Sequence, residues 1–214
     1  PFYIPSSSME PNLLIGDRIF VSKYTYGYSR HSFPFSPKVS NKRFLPRIPT
    51  RGDIIVFKTP ADNRTDYIKR LMGLPGDLLQ IKNGHLFLND IKIKRKKLKL
   101  NLNINCGNNN WKFDSFRETL PNGKSYIAAY RTDGSMKNTD KFTVPENYYF
   151  FMGDNRDCSN DSRDLGSVGY VKFNNLVGKA RIIFFSNNKK KGHFIKFWRW
   201  NKSLRLDRFF KKIN

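Results

Sequence analysis

Apolar and polar residues along most of this chain alternate with a period of two, the spacing of strands with one face buried. Residues 16–24 alternate in this way and are rich in Ile, Phe, Val and Tyr. Residues 51–58 carry a nearly continuous apolar run, Ile54-Ile55-Val56-Phe57, as expected of a strand covered on both faces. In residues 66–71, Tyr67, Lys69 and Leu71 fall on one face and Ile68 and Arg70 on the other, so the adjacent cations Lys69 and Arg70 point oppositely. Residues 78–82 and 85–88 flank Asn83-Gly84, a strong two-residue hairpin signal. Further strands are predicted over 91–94, 125–131, 148–152 and 176–186.

Two stretches interrupt this pattern. Residues 24–50 scatter Tyr26, Tyr28, Phe33 and Phe35 among prolines and glycine, and residues 95–123 form a basic, then Asn-rich excursion from the sheet. Helical spacing is confined to Leu206, Phe209, Phe210 and Ile213, with Arg205, Arg208, Lys211 and Lys212 on other faces. That spacing predicts a basic amphipathic helix. The expected fold is mostly β: an antiparallel, barrel-like body formed by residues 1–93 and 124–186. It carries an inserted β excursion over 94–123 and a basic, aromatic C-terminal tail over 187–214.

Composition adds a constraint on partners. Lys and Arg outnumber Asp and Glu by 40 to 17, a net charge of +23, which favours an anionic partner: nucleic acid or an acidic membrane surface. A Lys- and Asn-rich bias that decorates solvated faces is the plainer explanation. Three histidines and two cysteines show no metal-ligand spacing, so neither a metal nor another cofactor is expected. Cys106 and Cys158 make no disulfide framework, and their pairing is left open. No apolar run reaches the roughly 18 residues of a spanning helix. The opening Pro1, without an initiating Met, is expected to mark a fragment from which an N-terminal targeting or anchoring segment is missing.

The candidate chemistry lies in three places. Ser6-Ser7-Ser8, fenced by Pro5 and Pro11, reads by itself as a turn. Lys69 sits in the middle of a strand predicted to be buried. A serine nucleophile needs a base, and a lysine can serve only when burial keeps it neutral. After the aromatic strand 148–152 comes Gly153-Asp154-Asn155-Arg156-Asp157-Cys158-Ser159-Asn160-Asp161-Ser162-Arg163, a polar stretch that is costly to bury unless each group is paired.

Four stretches in this order resemble the boxes of bacterial type I signal peptidases, membrane-anchored Ser–Lys endopeptidases: residues 5–17, 51–57, 66–77 and 153–163. The resemblance covers most of the chain outside 95–123. It implies Ser8 as nucleophile, Lys69 as general base, Ser6 as an oxyanion donor beside the Ser8 backbone N–H, and Ser159 as the group that holds the lysine amine. Arg70 is implied to pair with Asp154, with Asp161 and Arg163 supporting the same loop. Phe2, Ile4, Pro5, Met9, Leu13, Ile19, Val56, Tyr67 and Ile68 are implied to line shallow apolar pockets that accept small residues at the first and third positions before the cut.

The implied substrates are signal peptides of exported preproteins, cleaved at the outer face of the bacterial cytoplasmic membrane. The aromatic loop and basic tail would press against anionic lipid, and no nucleic-acid partner is implied. Ser7, Asn12 and Cys158 depart from the family, which usually has Gly, Thr and often Asn there. Two alternatives remain at this stage: a self-cleaving Ser–Lys repressor of the LexA type, and a basic nucleic-acid-binding β-domain.

Overall fold

A computed structural model describes residues 1–33, 43–188 and 203–213. Its strands, in chain order, are β1 (Phe2–Tyr3), β2 (Asp17–Ser22), β3 (Ile54–Lys58), β4 (Asp66–Gly73), β5 (Leu78–Lys82), β6 (His85–Leu88), β7 (Ile91–Lys92) and β8 (Lys94–Cys106). They continue with β9 (Asn109–Thr119), β10 (Ser125–Arg131), β11 (Phe142–Thr143), β12 (Tyr148–Met152), β13 (Val171–Lys172), β14 (Leu176–Ser186) and β15 (Lys211–Lys212). The only helical turns among the described elements are short 3₁₀ segments. The mostly β expectation holds.

The main sheet runs β1-β2-β14-β3-β4-β12-β13, with β15 added to β14, and every pairing in it is antiparallel. Its centre is the apolar run of β3, whose Ile54, Ile55, Val56 and Phe57 are all buried between β14 and β4. A second sheet, β11-β5-β6-β7, is built on the Asn83-Gly84 turn. Both residues have positive φ there, 49° and 71°, as a two-residue hairpin requires.

The excursion is sheet, as the expected inserted β excursion requires. β8 and β9 pair along most of their length and β10 joins β9, giving the order β10-β9-β8. Leu98, Leu100, Leu102 and Ile104 alternate with Lys and Asn along β8, a period-two signal diluted by the surrounding charge.

The predicted C-terminal helix does not form among the described residues. Leu206–Arg208 is a single 3₁₀ turn, and Lys211–Lys212 pairs with Ile182 and Ile183 of β14. Leu206 and Phe210 are 69% and 73% exposed, whereas Arg208 is buried with its guanidinium 2.6 Å from the Asp17 carboxylate. This is the reverse of an amphipathic helix. A buried carboxylate in need of a cation, together with a free edge on β14, outweighs a weak helical stripe. In the irregular stretch Tyr26 is buried and donates to Asp53, while Tyr28 and Phe33 are exposed. Phe35, like the basic residues 189–202, lies outside the described residues.

A buried polar knot joins the excursion to the main sheet. Glu118 of β9 accepts from the hydroxyls of Tyr126 and Tyr130 and from Arg156 Nη2 at 2.6 Å, with both charged residues almost fully buried. Burial pushes both tyrosines above their usual range, and the adjacent carboxylate adds to that. Removing one partner of such a pair leaves the other as an uncompensated buried charge. Glu118→Ala is therefore expected to lower the unfolding free energy by about 3–5 kcal/mol. Urea titration followed by tryptophan fluorescence measures it, and a loss within experimental error would show that the pair is relieved by water.

Candidate active site

The turn Ser7–Met9 is a single 3₁₀ turn closed by Glu10 N–H donating to the Ser7 carbonyl at 3.0 Å. Its position is fixed from the side. The Asn155 N–H donates to the Ser8 carbonyl at 3.1 Å, and Asn155 Nδ2 donates to the Ser7 carbonyl. Met9, buried in the cluster with Ile4, Leu13, Ile19 and Ile54, anchors the turn from beneath. The result is that Ser8, 6% exposed, presents its hydroxyl to β4.

Lys69 stands on β4 opposite Ile55, on the face that also carries Tyr67 and Leu71. Its Nζ lies 2.6 Å from Ser8 Oγ and 5.6 Å from the Tyr67 ring centre, and the residue is 5% exposed. Desolvation lowers the pKa of the amine to about 8; Arg163 pushes the same way, while Asp161 and Asp154 oppose it. Arg70, on the opposite face, forms a two-pronged pair with Asp154 at 2.7 and 2.9 Å and lies over the Tyr126 ring. The two neighbouring cations of β4 thus occupy separate environments.

The loop after β12 is closed on itself. The Gly153 N–H donates to Asp161 Oδ2 at 2.8 Å, Arg163 Nε donates to Asp161 Oδ1 at 2.8 Å, and Arg163 Nη2 reaches the other carboxylate oxygen at 2.9 Å. Ser162 and Phe151 exchange two bonds, and the loop backbone adds to β10 through Ala129. Gly153 is needed for close approach: a Cβ there would collide with the Ser159 side chain and with the Ser8 carbonyl oxygen.

Ser6 Oγ lies 3.3 Å from Ser8 Oγ and is exposed. Ser159 packs against Gly153 beside Ser8, but its buried hydroxyl has no hydrogen-bond partner among the described residues. The contact with the lysine amine that the resemblance implies is therefore not made in this state. Of the implied pocket residues, Ile4, Met9, Leu13, Ile19 and Val56 are buried in the apolar floor, while Phe2, Pro5, Tyr67 and Ile68 keep exposed surface.

The edges beside the site are open. β1 ends the main sheet, and β12 pairs β4 only from Arg70 onward, leaving residues 66–69 with an unpaired edge among the described strands. An extended peptide can therefore add a strand between them.

Sequence reasoning missed three partners of this site. Asn12 donates to Asp154 Oδ2 and to the Ile127 carbonyl, both at 2.7 Å. Ser7 Oγ donates to the Asn105 carbonyl at 2.7 Å, and Cys106 is joined to Cys158 by a disulfide. Ser7, Asn12 and Cys158 are the positions that depart from the family pattern, and each contacts β8 or β10. Those departures were the available signal.

Comparison with known proteins follows the same boxes. A family profile described as "Signal peptidase, peptidase S26" matches residues 1–185. A signal peptidase I of Rickettsia typhi is 41% identical, and the match covers all of this chain and 85% of that protein. One from Rickettsia prowazekii is 40% identical over the same shares, and one from Rickettsia bellii is 39% identical over 99% of this chain and 77% of that protein. A solved signal peptidase I from Enterococcus faecalis is 28% identical, covering 62% of this chain and 97% of that one with a TM-score of 0.36.

The Lys69 amine is expected to titrate near pH 8 rather than near the 10.5 of a solvated lysine. NMR of ¹³C-labelled lysine side chains measures this directly. A midpoint for Lys69 at the solvated value would contradict the water-poor environment described above.

Proposed function

The chain belongs to the signal peptidase family, peptidase S26, and on that premise we propose that Ser8 and Lys69 carry its reaction. The protein is a serine peptidase that removes signal peptides from preproteins. The observation that carries the assignment is the 2.6 Å approach of Lys69 Nζ to Ser8 Oγ at a site almost closed to water.

With the amine neutral, the Ser8 hydroxyl donates to its lone pair. The oxygen attacks the scissile carbonyl as the proton passes to nitrogen. The oxyanion is held by the Ser8 backbone N–H and the Ser6 hydroxyl, and the lysine ammonium returns its proton to the departing amine. In the second half-reaction the neutral lysine activates water against the acyl-enzyme by the same route. Ser159, whose buried hydroxyl bonds no group among the described residues, is the neutral group that would orient the amine once substrate is bound. It does so without the negative charge of a carboxylate, which would favour the protonated form. The Arg70–Asp154 and Asp161–Arg163 pairs fix the walls.

The substrate lies extended between Phe2–Ser6 and residues 66–69. Side chains at alternate positions face the protein. Shallow relief over a buried floor of Ile4, Met9, Leu13, Ile19 and Val56 suits small residues at the first and third positions before the cut. The catalytic body works at the outer face of the cytoplasmic membrane.

Its charge suits an anionic lipid surface. Behind β3–β4, a cavity of about 620 Å³ lined in part by Lys124, Lys179, Arg181 and Lys212 meets a smaller one reached by Arg117 and Lys211. The Asp53 carboxylate there is already bonded to Lys124 and Lys179.

Cleavage of a preprotein with a small-X-small site tests the assignment. Ser8→Ala and Lys69→Arg are expected to be inactive yet folded, since a guanidinium does not give up its proton. Ser6→Ala should lose roughly 10²–10³ in kcat. In the unmutated protein kcat/KM should rise with pH through about 8, because protonation below that value removes the base. Full cleavage by Ser8→Ala would sink the mechanism.

Vesicles containing anionic phospholipid should bind more tightly than neutral ones. Charge reversal at Arg117, Lys211 and Lys212 should weaken that binding by roughly 1 kcal/mol per position. Equal sedimentation with neutral and anionic vesicles would remove the lipid assignment.

A further inference from the structure

The far end of the β8–β9 hairpin touches the site at two consecutive residues. Asn105 accepts from Ser7 Oγ at 2.7 Å, one residue before the nucleophile. Cys106 is bonded to Cys158, one residue before Ser159, across 52 positions of sequence with Cα atoms 5.6 Å apart. Asn155 joins the two attachments: its Oδ1 accepts from the Cys158 N–H at 3.2 Å, while its own N–H holds the Ser8 carbonyl.

Among the described residues this end of the hairpin is otherwise seated from the β10 side, where Arg131 lies over the Trp111 ring at 3.9 Å and the Thr132 N–H donates to the Lys112 carbonyl at 3.1 Å. Among the described residues, its apolar cluster holds Ile104, Phe113 and Ala129 fully buried, with Leu102, Trp111 and the two cysteines partly buried. β8 is largely exposed, and its first half, with Lys or Arg at 94–97 and 99, is basic. A cluster of this size is a weak anchor for a long exposed ribbon, and a covalent link is the usual supplement to a small core. Ser159, next along the chain, has a buried hydroxyl beside the Ser8–Lys69 pair with no partner among the described residues, so its position depends on how the preceding residue is held.

We propose that the β8–β9 hairpin is a positioning element for the peptidase reaction, and that the Cys106–Cys158 disulfide, with Ser7–Asn105 as its second tether, sets Ser159 and the nucleophile turn against Lys69. The proposal rests on the Ser8–Lys69 assignment above. Opening the bond requires a dithiol such as dithiothreitol. Its thiolate attacks one sulfur, the second thiol closes the reductant into its cyclic disulfide, and two electrons and two protons pass to Cys106 and Cys158 as thiols. The hairpin end then keeps the Ser7–Asn105 hydrogen bond, its small apolar contact and the β10 side of β9, where Arg131 lies over Trp111 and the Thr132 N–H donates to the Lys112 carbonyl. It has no covalent tie to the loop after β12. Water gains access to the lysine side of the site, which favours the ammonium, and Ser159 loses its fixed place.

The test compares oxidised protein with protein reduced and alkylated, using a small-X-small peptide across pH, with melting temperature measured in parallel. Reduction is expected to lower kcat by roughly tenfold to a hundredfold with KM little changed, as a misplaced catalytic group would. The acidic limb of the pH profile should move upward by about half a unit or more. Cys106→Ser should reproduce the reduced values and ignore the reductant. Equal kcat and an unmoved limb in oxidised and reduced protein would overturn the proposal even if the melting temperature fell, because that is the mark of a purely structural staple. Reductant sensitivity persisting in Cys106→Ser would overturn it too. Neither result touches the assignment of Ser8 and Lys69, which fails only on the cleavage assay of the Ser8 and Lys69 variants.

Discussion

Everything about this site depends on keeping one ammonium-forming group short of water. Moving the lysine from its ordinary value to about 8 corresponds to about 3 kcal/mol between its two protonation states. The fold supplies that difference by surrounding the amine with Tyr67, the Ser7–Met9 turn and the loop after β12 rather than by bringing up another cation at contact distance. Two carboxylates nearby, Asp154 and Asp161, would otherwise favour the charged form. Each is engaged by its own arginine, so the negative charge is answered before it reaches the amine.

The same discipline governs the rest of the interior. Among the described residues, each deeply buried carboxylate has a cation on another element or on its own loop: Asp17 with Arg208, Asp53 with Lys124 and Lys179, Glu118 with Arg156. Pairs of this kind contribute little net stability, since desolvation offsets most of the attraction. They do make misplacement expensive, because a slipped strand would strand a charge. The loop after β12 is held in register in this way through Glu118–Arg156 and Arg70–Asp154, which tie it to the excursion and to β4.

Much of the main sheet and of the second sheet was legible because their signals are local. Ile54–Phe57 reads as a doubly covered strand, Asn83-Gly84 as a hairpin, and the alternation of Lys69 and Arg70 as opposite facing. The excursion was harder. Its alternation at Leu98, Leu100, Leu102 and Ile104 is interleaved with lysines and asparagines that also suit a loop, although the two-residue turn Gly107-Asn108, with Gly107 at φ 63°, carried a hairpin signal for its pairing with β9. The C-terminal stripe misled because spacing reports periodicity and not competition. Leu206 and Phe210 have helical separation, yet a buried Asp17 and an open edge of β14 decide where Arg208 and Lys211 go. Nothing local in the sequence brings Cys106 beside Cys158, since their meeting requires β8 and the loop after β12 to converge from different sheets.

Arg208 also donates to the Asn12 carbonyl at 2.9 Å while it pairs with Asp17. The reactive turn, made from residues near the start of the chain, is thus braced by a side chain that a ribosome adds almost two hundred residues later. A nascent chain that has emerged only as far as β14 carries the serine and the lysine without that brace. Closure of the turn against its brace therefore waits on a residue far later in the chain than either Ser8 or Lys69.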